Sequence, residues 1–322
     1  MQKDKSKILI DTDPGIGTPG SDVDDGIAIL LALASPEIEV VGLTTVSGNV
    51  HCDSGTKNTL DLLEQIGRTE IPVAQGCSKP LGRRSELLIK RERAEQFSPL
   101  PEKYLTLLQP LHGVDLLIEK IKQAKDQLTI AAIGPLTNLA LALVKEPSIS
   151  GQIKEIVLMG GAAGSGNITP VAEFNLLNDP EAADLVFRSG VPLTMIGLEI
   201  TTSVRIYEPD IRPWRDAKST VVKSLYDNTV SWMNYRQQVR GEKDAGCFFH
   251  DAMVIAYLAD HSLFKTIACH VDIELDGTFT RGMTVVDRRP TSDQPVNVNL
   301  ITNINAKRFV ELTVKRIVEK FD

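Results

Sequence analysis

No lysine or arginine occurs between Ile8 and Thr56, although this stretch holds eight acidic residues. They are Asp11, Asp13, Asp22, Asp24, Asp25, Glu37, Glu39 and Asp53. The net charge of the 322 residues is −7, so this one stretch accounts for the imbalance and the rest of the chain is nearly neutral. An acidic balance disfavours a protein that coats nucleic acid or an anionic membrane, and we expect neither partner.

Signals for export, membrane insertion and disulfide bonding are also missing. The charged N-terminus runs directly into a short apolar strand, and no apolar run approaches the length needed to span a bilayer. The four cysteines lie far apart with no Cys-x-x-Cys pair, which favours reduced packing residues over a zinc site or a disulfide framework. We therefore predict a cytoplasmic protein with the composition of an ordinary globular chain.

The chain lacks an internal repeat and a low-complexity linker as well. A length of 322 residues fits one large α/β domain or two ordinary ones, and without a linker we predict a single domain over residues 1–322. The least regular part, residues 79–103, is basic and poor in helix or strand signal. We interpret it as a surface loop.

Short runs rich in valine, isoleucine and leucine alternate with helical patterns over the first two-thirds of the chain. Strands are predicted at about 7–13, 38–46, 71–75, 128–133, 153–159 and 191–196. Helices are predicted at 24–34, 55–66, 114–124, 135–144 and 180–188. This alternation predicts an α/β fold with an open, mostly parallel, doubly wound (Rossmann-like) sheet and helices on both faces. Ligands of such sheets bind at the carboxyl ends of the strands, where the acidic stretch begins.

The last third of the chain is less regular. A polar helix is predicted at 219–239 and a second helix begins near His250. Further elements are predicted as strands at 269–275, 282–287 and 296–300 and a helix from Ala306. We interpret this part as a lid-like periphery of the same domain.

Four aspartates are predicted to converge at the carboxyl end of the first strand. Asp11 and Asp13 lie on one side of the strand because side chains alternate, and Asp24 and Asp25 open the next helix. The helix dipole alone often explains acidic residues at a helix N-terminus, but it leaves the strand-end pair unexplained. Converging carboxylates repel one another unless protons or a cation intervene, and their oxygens are ligands for calcium or magnesium. A flexible, carboxylate-rich donor set favours calcium.

Two further groups contain residues that are able to bind a ligand. His250-Asp251 precedes an apolar helical run, where an aspartate is more often a cap than a ligand and a histidine is more often structural. A glycine-rich segment at 160–170 precedes Glu173 and Asn175. It lacks the spacing of a Walker or dinucleotide motif and no lysine follows it, so it is either a polar turn or a site for sugar hydroxyls.

The motifs occur in a fixed order along the chain. They are Asp11-Thr12-Asp13-Pro14-Gly15, Asp24-Asp25, Thr44-Thr45-Val46-Ser47-Gly48-Asn49, Met159-Gly160-Gly161, Glu173-Phe174-Asn175 and His250-Asp251. In this order the chain resembles the inosine-uridine preferring nucleoside hydrolases, from about residue 7 to beyond residue 300. The resemblance implies the nucleoside hydrolase type of the fold, a homo-oligomer (dimer or tetramer) and a small ribonucleoside substrate. It also implies calcium-dependent hydrolysis of the N-glycosidic bond to a free base and ribose.

The resemblance implies a role for each matching residue. Asp13 matches the general base, which also touches calcium, and His250 matches a histidine near the departing base. The other calcium ligands that it implies are the carboxylates of Asp25 and Asp251 and the backbone carbonyl of Ile133. The residues that it assigns to the substrate are Asp24 at the ribose 2′-hydroxyl, Asn49, Asn167, Glu173 and Asn175 at the ribose hydroxyls, and Met159 in the pocket lining.

The implied chemistry fits these residue types. Cleavage of a ribosyl C–N bond develops oxocarbenium character at the sugar, so an attacking water and help for the departing base are both required. Calcium orients the water and the ribose hydroxyls more than it acidifies the water, which gives a carboxylate base such as Asp13 a function. Because histidine ordinarily titrates near neutrality, we expect His250 to protonate or hydrogen-bond the departing base.

Two regions depart from the family pattern. Residues 17–23 lengthen the first motif, and this loop either bulges outward and leaves the paired aspartates in place, which we favour, or lets Asp22 replace one of them. The family's His-Gly loop near the base is missing at residues 83–93, so the base contacts stay open. Trp232 and Tyr235 on the polar helix are candidates for stacking on a base, although a spacing of three is more often a packing pattern.

Two other functions compete with hydrolysis of nucleosides. The Asp11-x-Asp13 pattern resembles that of haloacid dehalogenase-type phosphatases, which use an aspartyl nucleophile and magnesium, but the lysine and acidic pair that they need are not found in matching contexts. A calcium-dependent nucleoside- or ribose-binding protein without turnover keeps the ligands but has no use for Asp13 as a base. Hydrolysis uses all the motifs, and we therefore predict a nucleoside N-ribohydrolase.

Overall fold

The computed structural model describes residues 5–82 and 100–322 of the chain. The strands are β1 Ser6–Thr12, β2 Ile38–Thr45, β3 Val73–Gln75, β4 Leu128–Ala132, β5 Ile153–Met159, β6 Leu193–Ile196, β7 Phe264–Ile273, β8 Thr284–Asp287 and β9 Val298–Ile304. The α-helices are α1 Asp24–Ala34, α2 Cys52–Gln65, α3 Glu102–Leu105, α4 Gly113–Ala124, α5 Thr137–Lys145, α6 Phe174–Asn178, α7 Pro180–Phe187, α8 Leu198–Thr201, α9 Arg212–Arg215, α10 Thr220–Gln238, α11 Ala252–Ala259 and α12 Ala306–Phe321. Within the described ranges these strands form one nine-stranded sheet in the order β3-β2-β1-β4-β5-β6-β9-β7-β8.

The sheet is mostly parallel and reverses its strand order at one place. Strands β1 to β6 and β9 pair in parallel, and β7 pairs with β9 and β8 in antiparallel fashion at one edge. The reversal lies between β1 and β4, because β2 and β3 follow β1 on one side and β5 and β6 follow β4 on the other. Such a switch point opens a crevice at the carboxyl ends of its two strands. Asp13 follows β1 and Ile133 follows β4, so both residues lie at this crevice.

Side chains of the central strands alternate between two hydrophobic cores, one on each face of the sheet. In β1, Ile8 and Ile10 pack in the core with residues of α1, α11 and α12, whereas Leu9 packs in the core with residues of α4, α5 and α7. In β5, Val157 and Leu158 divide in the same way. Strands that are covered on both faces read in the sequence as continuous apolar runs, which is why they were predictable.

The predicted doubly wound α/β class is confirmed, and most elements lie where the sequence placed them. The strand at 153–159 and the helix at 24–34 have the predicted bounds, and the ends of the other predicted elements before residue 200 shift by no more than three residues. The strand predicted at 269–275 begins earlier, at Phe264, because residues 265–268 pair with β9 but are exposed and so carry no burial pattern. The four cysteines are buried and free.

The predicted surface loop and the predicted lack of membrane-spanning segments are tested only in the described part of the chain. The surface loop predicted at 79–103 falls mostly on residues 83–99, which lie outside the described ranges. Among the helices of residues 5–82 and 100–322, none is both long and apolar enough to cross a membrane. The single-domain organisation stays a prediction.

Trp214 connects the C-terminal helix to the segment that precedes α11. Its ring stacks on Phe249 with 5.7 Å between ring centroids, and its Nε1 donates a 3.2 Å hydrogen bond to the carbonyl of Val314. Both aromatic rings are fully buried. Because Phe249 directly precedes His250 and Asp251, this packing fixes the backbone that carries them.

We predict that Trp214→Ala lowers the free energy of unfolding by about 3–5 kcal/mol, because the buried ring is lost and a cavity is left behind. Urea denaturation followed by circular dichroism measures this change. The matched control is Phe279→Ala, since Phe279 is 87% exposed and its loss should change the free energy by less than about 0.5 kcal/mol. Similar losses in the two variants would contradict the packing described for Trp214.

Candidate active site

Three buried aspartates converge at the carboxyl ends of β1 and β4. Asp24 and Asp25 open α1, and Asp251 directly precedes α11. One carboxylate oxygen from each residue lies within 4.8 Å of the other two, and all three residues are buried. We call these three residues the carboxylate group. Oxygen ligands gathered at this spacing are what a divalent cation requires.

Asp13 is buried beside the carboxylate group, just after the end of β1. Its Oδ2 accepts a 2.5 Å hydrogen bond from the backbone N–H of Asn49, and its Oδ1 is buried without a hydrogen-bond partner. Two glycines allow this close packing, because a Cβ on Gly48 would overlap Oδ2 and a Cβ on Gly134 would crowd Oδ1. The carboxylate is therefore fixed in position with one oxygen left for a ligand.

Donors from two strand ends hold the carboxylate of Asp25. Its Oδ1 accepts from the Thr12 hydroxyl at 2.5 Å and from the backbone N–H of Asp13 at 3.1 Å. Its Oδ2 accepts from Nδ2 of Asn49 at 3.3 Å. Asn49 thus contacts both Asp13 and Asp25, which ties the residues after β2 to the start of α1.

Burial and mutual repulsion raise the pKa values of these carboxyl groups. The pKa of Asp25 rises to about 6, mainly through burial, although hydrogen bonds from Thr12 and Asp13 oppose the rise. The pKa values of Asp13, Asp24 and Asp251 rise well above their ordinary range, through burial first and through neighbouring aspartates second. Without a cation, this cluster therefore binds protons at pH values where isolated aspartates are ionised.

The available donors fit a hard divalent cation. The carboxylate group supplies oxygens, and the unpartnered Oδ1 of Asp13 is a further open acceptor. The backbone carbonyl of Ile133, a predicted ligand, accepts a 3.2 Å hydrogen bond from Nδ2 of Asn175, and Ile133 lines the same cavity. A set of oxygen donors favours calcium or magnesium over metals that prefer nitrogen or sulfur.

The membership of the carboxylate group differs in one respect from the predicted ligand set. Asp25 and Asp251, which were both predicted as calcium ligands, lie together in this group. Asp24, which the family resemblance assigns to the ribose 2′-hydroxyl, completes the group of three, whereas Asp13 lies beside it. Asp24 therefore lies together with two predicted cation ligands, although it was predicted to contact the sugar.

The described residues enclose a cavity of about 230 Å³ at this crevice. The predicted site residues that line it are Asp24, Asn49, Ile133, Met159, Asn167, Glu173, Asn175, His250 and Asp251. The lining also includes Asp22, which the sequence offered as an alternative to one of the paired aspartates, and residues to which no role was assigned, among them Arg236, Arg240, Glu242 and Phe248. The cavity therefore combines a carboxylate- and amide-rich part with an aromatic and guanidinium part.

Glu173 is oriented by three backbone donors at the start of α6. Its Oε1 accepts from the N–H of Asn175 at 2.8 Å, and its Oε2 accepts from Gly161 at 3.0 Å and Leu176 at 3.1 Å. A carboxylate has room for a further donor, so Glu173 is still able to accept from a sugar hydroxyl. Nδ2 of Asn175 donates to the carbonyl of Met159 at 3.2 Å, which joins α6 to the end of β5.

His250 is held at the cavity wall in a neutral form. Its Nδ1 lies 2.7 Å from the hydroxyl of Thr201, and its ring packs at a tilt against Phe248 with 5.4 Å between centroids. Burial first, and the charge of Arg236 second, lower the pKa of His250 to about 3. We expected it to titrate near neutrality, but burial removes the imidazolium form, so His250 is suited to hydrogen bonding.

The two aromatic residues of α10 have different surroundings. Trp232 lines the cavity, whereas Tyr235 stacks on Trp232 with 5.7 Å between centroids and packs against Gly20 of the inserted loop. Arg240 lies over the Trp232 ring at 4.6 Å from its centroid. A spacing of three on the helix thus gives one ring in the cavity wall and one supporting ring behind it.

The inserted loop at 17–23 forms an added turn ahead of α1. Backbone hydrogen bonds run from Thr18 to Gly15 at 2.9 Å and from Ser21 to Thr18 at 3.1 Å. The paired aspartates after the loop remain in the carboxylate group, and Asp22 lines the cavity next to them. Burial raises the pKa of Asp22, and a hydrogen bond from Val23 and the charge of Arg236 oppose the rise.

Asp11, which was predicted to converge with the other aspartates, lies outside the carboxylate group and belongs to a second network that was not predicted. Asp11 accepts from the hydroxyl of Thr44 at 2.6 Å and from Nδ2 of Asn138 at 2.8 Å, and burial raises its pKa to about 7. Asn138 also donates to the carbonyl of Thr45 at 2.9 Å and accepts from the N–H of Cys77 at 2.8 Å. One amide thereby fixes three strand ends. The only sequence signal for it is an asparagine near the start of the helix that follows β4.

Known proteins with similar sequences are nucleoside hydrolases. A family model described as inosine-uridine preferring nucleoside hydrolase matches residues 8–311. The pyrimidine-specific ribonucleoside hydrolase RihA of Photobacterium profundum is 40% identical over 314 residues, which cover 96% of this chain and 98% of the relative. The protein of the same description from Shigella boydii is 38% identical over 317 residues, which cover 96% and 97%.

Solved structures agree with this similarity. The purine-preferring ribonucleoside hydrolase from Gardnerella vaginalis has a TM-score of 0.84 at 31% identity, with 98% of each chain covered. A plant nucleoside hydrolase has a TM-score of 0.81 at 29% identity, with 97% of this chain and 99% of that chain covered. The similarity in sequence and in fold therefore extends over nearly the whole chain.

We predict that calcium stabilises the protein more at about pH 8 than at about pH 5.5. The raised pKa values of the cluster mean that the metal-free fold holds extra protons, and its stability falls as the pH rises from the ordinary aspartate range through the folded value, about 6 for Asp25. Calcium replaces those protons. At a hundred times the dissociation constant, binding adds about 2.7 kcal/mol, which a thermal unfolding series with calcium or a chelator measures.

Asp25→Asn should abolish most of this stabilisation, because it removes a charge from the carboxylate group. Asp126→Asn is the matched control, since Asp126 is exposed in the turn before β4 and has a φ of 65°, which asparagine tolerates. An equal calcium effect in both variants would contradict the assignment of the cation to this cluster.

Proposed function

We propose, from the premise that this chain belongs to the inosine-uridine preferring nucleoside hydrolase family, that calcium held by its carboxylate group supports hydrolysis of ribonucleosides to a free base and ribose. Family membership makes the chain a ribonucleoside hydrolase. The ion, the mechanism, the residue roles and the preferred base are the proposal. The observation that carries it is the buried carboxylate group, which opens into a cavity lined by sugar-binding side chains.

Asp13 is the proposed general base. Bound calcium supplies a positive charge that orients a water molecule and the ribose 2′- and 3′-hydroxyls. Asp13 accepts the proton of the attacking water at Oδ1, the oxygen that has no other partner, while the Asn49 N–H holds Oδ2. Because one oxygen of Asp13 is fixed and the other is open, the general base is directed at a single position.

The sugar lies among the amide and carboxylate side chains of the cavity. Asn49, Asn167, Glu173 and Asn175 are the proposed partners of the ribose hydroxyls, and Asp24 serves the 2′-hydroxyl at the edge of the carboxylate group. Asp24, Glu173 and Asn175 are buried, Asn49 is partly buried and Asn167 is exposed at the rim, and Glu173 is pre-oriented by backbone donors. Preorganised acceptors of this kind hold the ribose as positive charge develops at C1′.

His250 is proposed to contact the departing base as a neutral hydrogen-bond partner. Its Nδ1 is engaged by Thr201, which leaves Nε2 for the cavity side. Trp232 and Phe248 supply apolar ring surface in the same wall. A flat base fits such a wall because aromatic faces stack at little conformational cost.

Pyrimidine ribonucleosides are the proposed preferred substrates. The cavity of about 230 Å³ is smaller than the roughly 300–1,000 Å³ of most small-molecule sites, which favours a single-ring base. Relatives at 38–40% identity are described as pyrimidine-specific, whereas the purine-preferring structure is 31% identical. The homo-oligomeric state and the cytoplasmic location stay predictions from the sequence.

Release of base and reducing sugar from a panel of nucleosides tests the activity and its calcium dependence together. We expect uridine and cytidine to be cleaved faster than inosine, with activity lost on chelation and restored by calcium. Phosphate release from phosphomonoesters would instead support a phosphatase. If the calcium-loaded protein binds nucleosides saturably but releases no product, the result would instead support a nucleoside-binding protein without turnover.

Asp13→Ala should lower kcat by about 10²–10⁴-fold with a much smaller change in KM, because the general base is lost while the sugar contacts remain. Steady-state kinetics on uridine measure both constants. The matched control Asp293→Ala alters an exposed aspartate without a left-handed backbone conformation and should leave kcat unchanged. A wild-type kcat in Asp13→Ala would remove Asp13 from the role of base.

A further inference from the structure

A buried arginine in the cavity wall has no role in the mechanism described so far. Arg236 lies near the C-terminal end of α10, is 7% exposed and lines the cavity. Its Nε donates to Oε1 of Glu242 at 3.1 Å and its Nη2 donates to Oε2 at 2.6 Å. A guanidinium has five N–H donors, so these two bonds fix its plane without exhausting its capacity. We call Arg236 with Glu242 the arginine fork.

The chain builds the arginine fork through a turn after α10. Gly241 has a φ of 69°, a left-handed conformation that other residues adopt only with strain. The turn brings the backbone N–H of Glu242 to the carbonyl of Arg236 at 3.2 Å, so the two residues are joined through backbone and side chains. Cζ of Arg236 also lies 4.8 Å from the ring centroid of Phe248, another lining residue. The guanidinium is therefore fixed from two directions.

Stability explains the position of the arginine fork only in part, through the charge of Arg236 opposing the raised pKa of Asp22. Removing an arginine and a carboxylate from water costs about as much as their attraction returns, so a buried pair is weak evidence of a stabilising role. A rigid, permanently charged donor in a cavity wall is instead an arrangement that stabilises negative charge on a ligand.

Negative charge arises on one part of the proposed substrate. When the C1′–N bond breaks, its electron pair moves to the ring nitrogen of the base, and in uracil and cytosine it is shared with the carbonyl oxygen O2 on the neighbouring carbon. With the ribose held by the carboxylates and amides as proposed, the base is left to the lining residues Trp232, Phe248 and the arginine fork.

We infer that Arg236 binds O2 of the departing pyrimidine and stabilises the charge that develops there, with Glu242 as its positioning residue. This inference rests on the proposed function. Water oxygen forms the new bond to C1′, the C1′–N1 bond breaks towards the base, and Asp13 takes the proton of the water. Arg236 keeps its own protons, because guanidinium does not titrate in proteins. The base anion takes a proton from solvent, and Asp13 returns one to solvent.

Dependence on the leaving group tests this inference. Arg236→Gln should lower kcat/KM for uridine by about 10²–10³-fold, the cost of removing one donor aimed at developing charge. The same variant should cleave 4-nitrophenyl β-D-ribofuranoside almost as fast as the wild type, because nitrophenolate leaves without help. The uridine-to-inosine ratio should also fall, since the six-ring atom beside the purine glycosidic nitrogen carries no exocyclic oxygen.

Three further variants separate positioning from a general effect on folding. Arg236→Lys keeps the charge but loses the planar fork, and should recover only part of the uridine rate. Glu242→Gln should reduce the uridine rate less than Arg236→Gln and leave the nitrophenyl riboside unaffected. Arg188→Gln is the matched control, because Arg188 is 67% exposed and pairs with Asp184 at 2.7 Å away from the cavity, and it should behave as the wild type.

The outcomes distinguish the inference from the proposed function. If wild-type protein cleaves neither nucleosides nor the nitrophenyl riboside, the proposed function fails. If wild-type protein cleaves both and Arg236→Gln loses both equally, the proposed function stands and the role of Arg236 is overturned. If Arg236→Gln does not fold, a selective loss of uridine cleavage in Glu242→Gln supports the inference, and an unchanged uridine rate in Glu242→Gln overturns it.

Discussion

Burial of four carboxyl groups side by side is the constraint around which the site is arranged. Asp13 and the carboxylate group lie at the switch point of the sheet, where water cannot screen their repulsion. Backbone N–H groups, the hydroxyl of Thr12 and the amide of Asn49 offset part of that repulsion, and the proposed divalent cation would offset the rest.

The fold and the acidic half of the site were predictable because they depend on local pattern. Continuous apolar runs indicate strands that are covered on both faces, and aspartates placed directly after such a strand must lie at its carboxyl end. Asp24 and Asp25 follow from the same rule once the first crossover helix is recognised. Asp251 is different: it lies far away in the sequence, and only the order of motifs characteristic of the family connected it with the others.

The guanidinium half of the site was not predictable, since it depends on contacts that leave no periodic signal. Arg236 on a polar helix reads as a solvent-facing residue until Gly241 turns the chain and brings Glu242 back to it. The neutral state of His250 has a similar origin, because burial under Phe248 and beside Arg236 is a property of the assembled wall. Asn138 likewise gains its role only when three strand ends meet.

The two halves of the cavity differ in how many chain segments build them. The proposed cation and sugar side is assembled from segments scattered between Asp13 and Asp251, and the glycines packed against Asp13 leave no room for one added methyl group. The base side comes largely from one contiguous stretch, from Trp232 through the turn at Gly241 to His250. With the proposed roles, substitutions within this one stretch would change the preferred base, whereas substitutions around the carboxylate group would disturb several distant parts of the fold at once.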